Sequence, residues 1–198
     1  EEQLNTTPKL GNQQVGDFIY QDTNEDGIVN DDDRVILGDN NPDYQLGFNF
    51  RYTIRNFDVS ASMYTKQGVE VINTMHRYLA EAWGNNLSVY LSDEAPRPVW
   101  GVGSNTHTRA SSWQVEDASF VRVREIMVGY TLPSSITERL HLSRLRIYAS
   151  LLNPFTWTDY SGYNPEVSSN FGNALTPGEE FGNYPVSKTS TIGINVTF

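Results

Sequence analysis

The chain has 198 residues, a net charge of −10 and no cysteine. The negative charge argues against a nucleic-acid partner, because binding to phosphates needs a basic surface. The lack of cysteine excludes disulfides, thiolate metal sites and cysteine nucleophiles. Aromatic residues make up 12% of the chain and charged residues only 19%, a composition typical of β-rich proteins.

The beginning of the sequence and its hydropathy bear on how the protein could meet a membrane. It begins at Glu1 without a Met or an apolar leader, so we expect either a removed signal or a piece of a longer protein. No stretch is apolar enough for a membrane-spanning helix. A membrane barrel stays possible, because its alternating strands have only a weak hydropathy signal.

The first predicted feature is an ion-binding loop within residues 1–43, at residues 22–33. Oxygen ligands at the spacing of an EF-hand-type calcium loop come from Asp22, Asn24, Asp26, the backbone carbonyl of Ile28, and Asp33. Gly27 stands at the sixth position, where such loops turn sharply. Asp33 is shorter than the Glu of a true EF-hand and resembles the dockerin-like variant. We predict a structural Ca²⁺ site, and an acidic turn without an ion is the alternative.

Alternating segments follow the loop. In the clearest one, residues 44–55, apolar side chains from Tyr44 to Ile54 alternate with polar ones, as in a strand with one apolar face. At about 3.3 Å per residue it would extend roughly 40 Å, enough to cross a bilayer at a tilt. Further strands are predicted at 57–64, 119–132, 144–153 and 191–198, with a reversal at Asn56 and a β-bulge at the phase slip of Arg124 and Glu125.

The connections between these strands alternate between short and long. Short ones lie at Asn56 and at 133–143, and long ones lie near 69–117 and 154–188. Membrane barrels have short periplasmic turns and long extracellular loops, so we predict transmembrane strands over 44–198 and an extracellular position for residues 1–43. These strands are too few to close a barrel, so further strands must come from elsewhere.

The polar faces of the strands indicate a hydrated interior. A charge that faced lipid at mid-depth would cost about 2–4 kcal/mol. The arginines predicted to face inward are Arg51, Arg55, Arg122, Arg144 and Arg146.

Catalytic signals are weak, and we predict that the chain is not an enzyme. No nucleophile elbow, phosphate loop or dinucleotide fingerprint occurs. The acid pairs Asp93–Glu94 and Glu179–Glu180 are interpreted as solvated loop charges, and His76, His107 and His141 as exposed loop residues. Loop aromatic residues such as Phe155 and Trp157 are expected either in an interfacial girdle or against a ligand.

Several ordered motifs resemble the SusC/RagA-type TonB-dependent transporters over nearly the whole chain. They are residues 16–22 (GDFIYQD), 24–27 (NEDG), 32–34 (DDR), 36–38 (ILG), 41–42 (NP), 44–47 (YQLG), 117–124 (DASFVRVR), 129–133 (GYTLP), 153–158 (NPFTWT) and 160–166 (YSGYNPE). The resemblance implies an all-β fold, namely the C-terminal strands of a large antiparallel transmembrane β-barrel with long extracellular loops. The whole barrel would have about 22 strands and a plug.

The resemblance also implies a function and partners. Such transporters import oligosaccharides or peptides across the outer membrane of Gram-negative bacteria, with a SusD-type surface lipoprotein and energy delivered by the TonB complex. The final segment, which ends in Phe198, is similar to the signal that the barrel-assembly machinery recognises. The alternative is a soluble, calcium-stabilised β-domain that binds carbohydrate or protein at a cell surface.

Overall fold

The computed structural model describes residues 7–11, 18–74, 111–167 and 175–198. Its strands are β1 (Tyr44–Ile54), β2 (Phe57–Gln67), β3 (Glu70–Asn73), β4 (Val115–Asp117), β5 (Phe120–Thr131), β6 (Arg144–Thr158), β7 (Glu179–Glu180) and β8 (Thr189–Thr197). Helical segments in the same parts of the chain are short: α1 (Ser134–Thr137) and 3₁₀ turns at Asp31–Asp33, Ser112–Gln114 and Glu138–Leu140. No described helix is long and apolar enough to span a membrane. The prediction of an all-β fold is confirmed.

The chain forms two compact units. One comprises Glu1–Asp39, Glu70–Glu116 and Val167–Gly182, and it contains most of a small sheet in the order β4-β3-β7. The other comprises Asn40–Val69, Asp117–Glu166 and Asn183–Phe198, and it contains a sheet in the order β1-β2-β5-β6-β8. Every pair of neighbouring strands in this second, larger sheet is antiparallel.

The large sheet gathers its short connections at one end of the strands. The Thr131 N–H donates to the Asn56 carbonyl, and the Ser143 N–H donates to the Thr197 carbonyl. The β1–β2 turn, the connection from β5 to β6 and the end of β8 therefore lie together. The long connections leave from the opposite end, at Gln67, Phe120, Thr158 and Thr189. The alternation of short and long connections in the sequence thus corresponds to two different ends of one sheet.

The two faces of the large sheet differ in polarity. Because paired residues share a face, the register joins Tyr52, Val59, Val128, Ala149 and Ile192 in one apolar row. The opposite face carries the row Arg51, Ser60, Met127, Ser150 and Thr191. Apolar side chains of the first face are exposed in the described chain, with Phe48 at 61% and Ile192 at 82%. That face has no covering layer from the described residues of its own unit.

The predicted bulge is present. On β5 the pairing with β2 jumps from Glu125 to Val123, which leaves Arg124 unpaired between them. On β6 the matching irregularity falls between Leu152 and Phe155, where Asn153 adopts a φ of 49°. An extra residue in one strand changes the phase of the side chains beyond it, which is the slip seen in the sequence.

The structure corrects several predicted boundaries. Strand β6 continues to Thr158, so the long loop predicted from residue 154 begins later. Arg55, predicted to face inward from a strand, lies in the two-residue turn with Asn56, and its φ is 53°. The predicted loops 69–117 and 154–188 also contribute the short strands β3, β4 and β7. Strands of only two to four residues, which pair with distant parts of the chain, have too short an alternating pattern to be predicted from the sequence.

Candidate functional site

The polar face of the large sheet carries an ion pair near the end with the short turns. The Arg146 guanidinium donates to both carboxylate oxygens of Asp58, at 2.9 Å (Nε to Oδ1) and 2.5 Å (Nη2 to Oδ2). The two side chains are 13% and 19% exposed. They cross the backbone at Gly129, where a Cβ atom would collide with both of them. The geometry is the bidentate one that makes Arg–carboxylate pairs strong.

A second cluster occupies the polar face toward the other end. Arg122, 4% exposed, donates to Thr156 Oγ1 at 3.0 Å, to Glu166 Oε2 at 2.6 Å and to Asn164 Oδ1 at 2.9 Å. The Glu166 N–H donates to Asn164 Oδ1 at 3.2 Å. The segment after β6 is therefore held to the sheet by a buried arginine whose charge is matched by one carboxylate.

The bulge brings a second arginine to the same cluster. Arg124 lies 3.4 Å from Glu166 Oε1 and stacks over the Tyr64 ring, with its guanidinium carbon 4.2 Å from the ring centroid. The Tyr64 hydroxyl donates to Gln45 Oε1 at 2.7 Å. Without the bulge, Arg122 and Arg124 would share a face but Glu125 would face the other way. With it, all three stand on the polar side, where Glu125 lines a shallow depression of about 260 Å³.

The predicted calcium loop is an ordered acidic turn. Side chains of the loop accept hydrogen bonds from its own backbone. The Gly27 N–H donates to Asp22 Oδ2 at 2.8 Å. The Asp26 N–H donates to Asn24 Oδ1 at 2.9 Å, and the Ile28 N–H donates to Asp26 Oδ1 at 2.8 Å. Gly27 has a φ of 86°, the left-handed conformation that suits glycine. The other carboxylate oxygen of Asp22, Oδ1, is buried and has no hydrogen-bond partner in the described structure.

Asp33 closes this loop through hydrogen bonds to the backbone. Its Oδ2 accepts from the Asn30 N–H at 2.7 Å and its Oδ1 from the Thr23 N–H at 2.8 Å. The hydrogen bond from Asn30, and after it the one from Thr23, stabilises the ionised carboxylate. Together they hold the pKa of the Asp33 carboxyl below its usual range. Asn30 in turn caps the 3₁₀ turn Asp31–Asp33 in a capping box.

The loop brings the predicted ligand residues into one turn, but their acids do not form a ready cluster. Across the described ranges, no group of at least three His, Cys, Asp or Glu residues is placed to hold a metal ion. Asn24 and Ile28 would add an amide and a backbone-carbonyl oxygen, which Ca²⁺ also accepts as ligands. The calcium site remains a prediction.

The remaining residues named from the sequence lie in different parts of the chain. Phe198 follows β8 and is 89% exposed, and its assembly role remains a prediction. Phe155 and Trp157 lie on β6 and stack with their ring centroids 5.8 Å apart, so they belong to a strand and not to a loop. The prediction that Glu180 is a solvated loop charge is wrong, because its side chain is 1% exposed on β7. His76, His107 and the pair Asp93–Glu94 lie outside the described residues.

Comparisons with known proteins agree with this architecture. The chain is 30% identical over 207 residues to TonB-dependent receptor P3 of Formosa agariphila, covering 98% of the chain and 20% of that protein. It is 25% identical over 186 residues to TonB-dependent receptor SusC of Bacteroides thetaiotaomicron, covering 91% of the chain and 17% of that protein. The chain therefore spans about a fifth of the length of the curated relatives it matches. No protein-family model matches it.

The fold is also that of a solved transporter. The RagAB peptide importer in its open-open state matches 82% of this chain and 18% of its own, with a TM-score of 0.62 and 23% identity. The antiparallel sheet described above thus corresponds to part of a much larger chain.

Proposed function

We propose that this chain, which belongs to the SusC/RagA family of TonB-dependent receptors, forms part of the barrel wall of an outer-membrane importer. The observation that supports this most is the large sheet, whose exposed face is apolar and whose other face is polar and charged. In a barrel wall the apolar face would contact lipid and the polar face would line a hydrated interior. The rest of the barrel and the plug would come from a longer polypeptide.

The proposed cargo is an oligosaccharide or a peptide, taken up with a SusD-type surface lipoprotein and driven by TonB. One relative is named SusC, and one similar solved structure is that of the RagAB peptide importer. The location that goes with this is the outer membrane of a Gram-negative bacterium. The competing candidate is a soluble β-domain, which would need another layer over the exposed apolar face.

Fractionation of the source cells tests the proposal. We expect the polypeptide that carries this sequence in the detergent-extracted outer-membrane fraction, and we expect it to migrate faster on a gel when it has not been heated. We also expect a lipoprotein to copurify with it, and uptake of its cargo to stop when TonB is deleted. A freely soluble polypeptide would support the competing candidate instead.

We also propose that residues 22–33 bind Ca²⁺ as a structural cross-link. The support is the ligand spacing, together with the buried Asp22 Oδ1, which receives no hydrogen bond from the part of the chain that the structure describes. Asp22, Asn24, Asp26, the Ile28 carbonyl and Asp33 would hold the ion. A site of the extracellular class, with a dissociation constant of about 10⁻⁴ to 10⁻³ M, would be filled at millimolar Ca²⁺.

Limited proteolysis of the complete receptor tests the calcium proposal. We expect Ca²⁺ to protect the region before Tyr44, and Asp26→Ala to remove that protection without unfolding the barrel. Asp31→Ala is the matched control, because Asp31 is an exposed acid of the same loop that pairs with Arg34 at 2.8 Å and occupies no ligand position. Equal protease resistance with and without Ca²⁺ would count against the site.

A further inference from the structure

We propose that Arg122, Arg124 and Tyr64 form a binding site for a ligand carboxylate on the polar face, and that the Glu166 side chain occupies this site as an internal substitute. The proposal rests on the proposed function, since a ligand reaches the polar face only if that face lines a transport path. The binding site goes beyond the proposed function because it names the chemical group of the ligand that is recognised.

Two arginines hold the carboxylate of Glu166. Its Oε2 accepts from Arg122 at 2.6 Å, and its Oε1 lies 3.4 Å from Arg124. Two arginines from one strand therefore converge on the two oxygens of one carboxylate that a different segment delivers. A bound acid would be recognised in the same manner, because arginine matches the geometry of a carboxylate.

The charges of these residues favour a carboxylate as the ligand. Glu166 is the one carboxylate with a described ion pair to either arginine, so within this cluster two positive charges share a single negative charge. Arg122 is 4% exposed, and a buried cation without a partner is strongly destabilising. A neutral ligand could not replace Glu166 without leaving Arg122 unpaired. Another carboxylate could.

The outer part of the cluster is accessible to a ligand. Arg124 is 50% exposed and Glu166 is 30% exposed, whereas Arg122 behind them is buried. The long contact to Arg124 is weaker than the short one to Arg122. The ring of Tyr64, whose hydroxyl is fixed by Gln45, supports the guanidinium of Arg124 in position. A ligand acid would therefore engage Arg124 first and then displace Glu166 from Arg122.

This chemistry selects acidic ligands, either acidic peptides or oligosaccharides that contain uronic acids. Both present a carboxylate of the size that Glu166 presents. Binding to the complete receptor in detergent is measured by calorimetry with a diglutamate peptide and with digalacturonate. Diglutamine and galactobiose are the matched neutral probes.

Glu166→Gln is the decisive variant. Removal of the internal competitor raises the fraction of receptor with a free site, so we expect about tenfold tighter binding of at least one acidic probe and no change for the neutral probes. Asn164→Ala removes the oxygen that accepts from both the Glu166 N–H and Arg122. It therefore loosens the turn that carries Glu166 and frees a donor of Arg122, and it is expected to act in the same direction. Arg124→Gln is expected to remove the preference for acidic probes. The acid that responds identifies peptide or glycan as the source of the carboxylate.

Arg51→Gln is the control, because Arg51 is an exposed arginine on the same polar face outside the cluster. Unchanged acid affinity in both Glu166→Gln and Asn164→Ala, with heat-modifiable migration intact, would overturn the proposal. Equal weakening by Arg51→Gln and Arg124→Gln would also overturn it, because the effect would then be one of general charge. If the acidic probes respond as expected but the receptor imports nothing, the proposed function fails and the binding site stands.

Discussion

Gly129 is required where the ion pair between Arg146 and Asp58 crosses β5. A Cβ atom at this position would collide with the side chains of both partners, whereas a Cβ atom at Gly47, also on the polar face, would meet open space. We expect Gly129→Ala to displace the pair and destabilise the barrel by about 2 kcal/mol, the scale of a hydrogen bond to a charged group. Gly47→Ala is expected to be neutral or slightly stabilising, since alanine suits a strand better than glycine.

The temperature at which each variant loses its fast-migrating gel form measures this difference. Equal temperatures for Gly129→Ala and Gly47→Ala would show that the Arg146–Asp58 geometry contributes nothing to stability.

Asp33 makes the acidic loop sensitive to pH. The pKa of its carboxyl in the folded chain lies below the ordinary value for aspartate, because the backbone N–H groups of Asn30 and Thr23 stabilise the ionised form. Ionised Asp33 therefore stabilises the loop above the unfolded pKa. This stabilisation is lost as the pH falls through the lower folded pKa. With a chelator present, hydrogen exchange of the segment with Thr23 and Asn30 should therefore be slow at about pH 6 and much faster at about pH 2, after correction for intrinsic rates.

Asp33→Asn gives the matched comparison. An amide has only one oxygen for the two N–H donors at Thr23 and Asn30, so we expect fast exchange over the whole pH range. Protection in Asp33→Asn equal to that of the unmodified chain would contradict this assignment.

The β1–β2 hairpin turns through a non-glycine residue in a left-handed conformation. Arg55 has a φ of 53°, which costs an L-residue roughly 1 kcal/mol or more. We expect Arg55→Gly to stabilise the hairpin by about 0.5 kcal/mol, because relief of this cost exceeds the entropy that glycine loses on folding. Thr53→Gly, in the extended part of β1 opposite Asp58, should destabilise by a similar amount. The melting temperatures of the two variants should move in opposite directions, and a shared fall would refute the turn argument.

The proposed orientation of the whole sheet in a membrane is tested by placing an arginine on each of its two faces, at neighbouring depths. Leu151 belongs to the apolar face, where it pairs with Ile126, and it is 42% exposed. Thr191 belongs to the polar face, where it pairs with Ser150. We expect Leu151→Arg to cost about 2–4 kcal/mol, as for a cation in lipid at mid-depth, and Thr191→Arg to be tolerated.

The amount of folded receptor in the outer membrane measures both variants. If Thr191→Arg were lost from the membrane and Leu151→Arg were retained, the two faces would have to be exchanged.

Local sequence was enough to predict the long strands and the direction of their faces. The alternation between Tyr44 and Ile54 is a property of neighbouring residues, and a period of two needs no knowledge of the partner strand. The phase slip at Arg124 revealed the bulge for the same reason. The acidic loop was also visible, because its ligands follow one another within residues 22–33.

Only the tertiary structure revealed which distant groups meet. Arg122 and Glu166 are separated by 44 positions and Arg146 and Asp58 by 88, and no spacing in the sequence links either pair. The sequence shows that β5 carries an extra residue. The register of β5 with β2 and β6 places Arg122 opposite Tyr64 and Thr156, because a side chain's neighbours across a sheet are set by pairing and not by the chain's own periodicity. The segment after β6 then folds back and brings Glu166 to the two arginines.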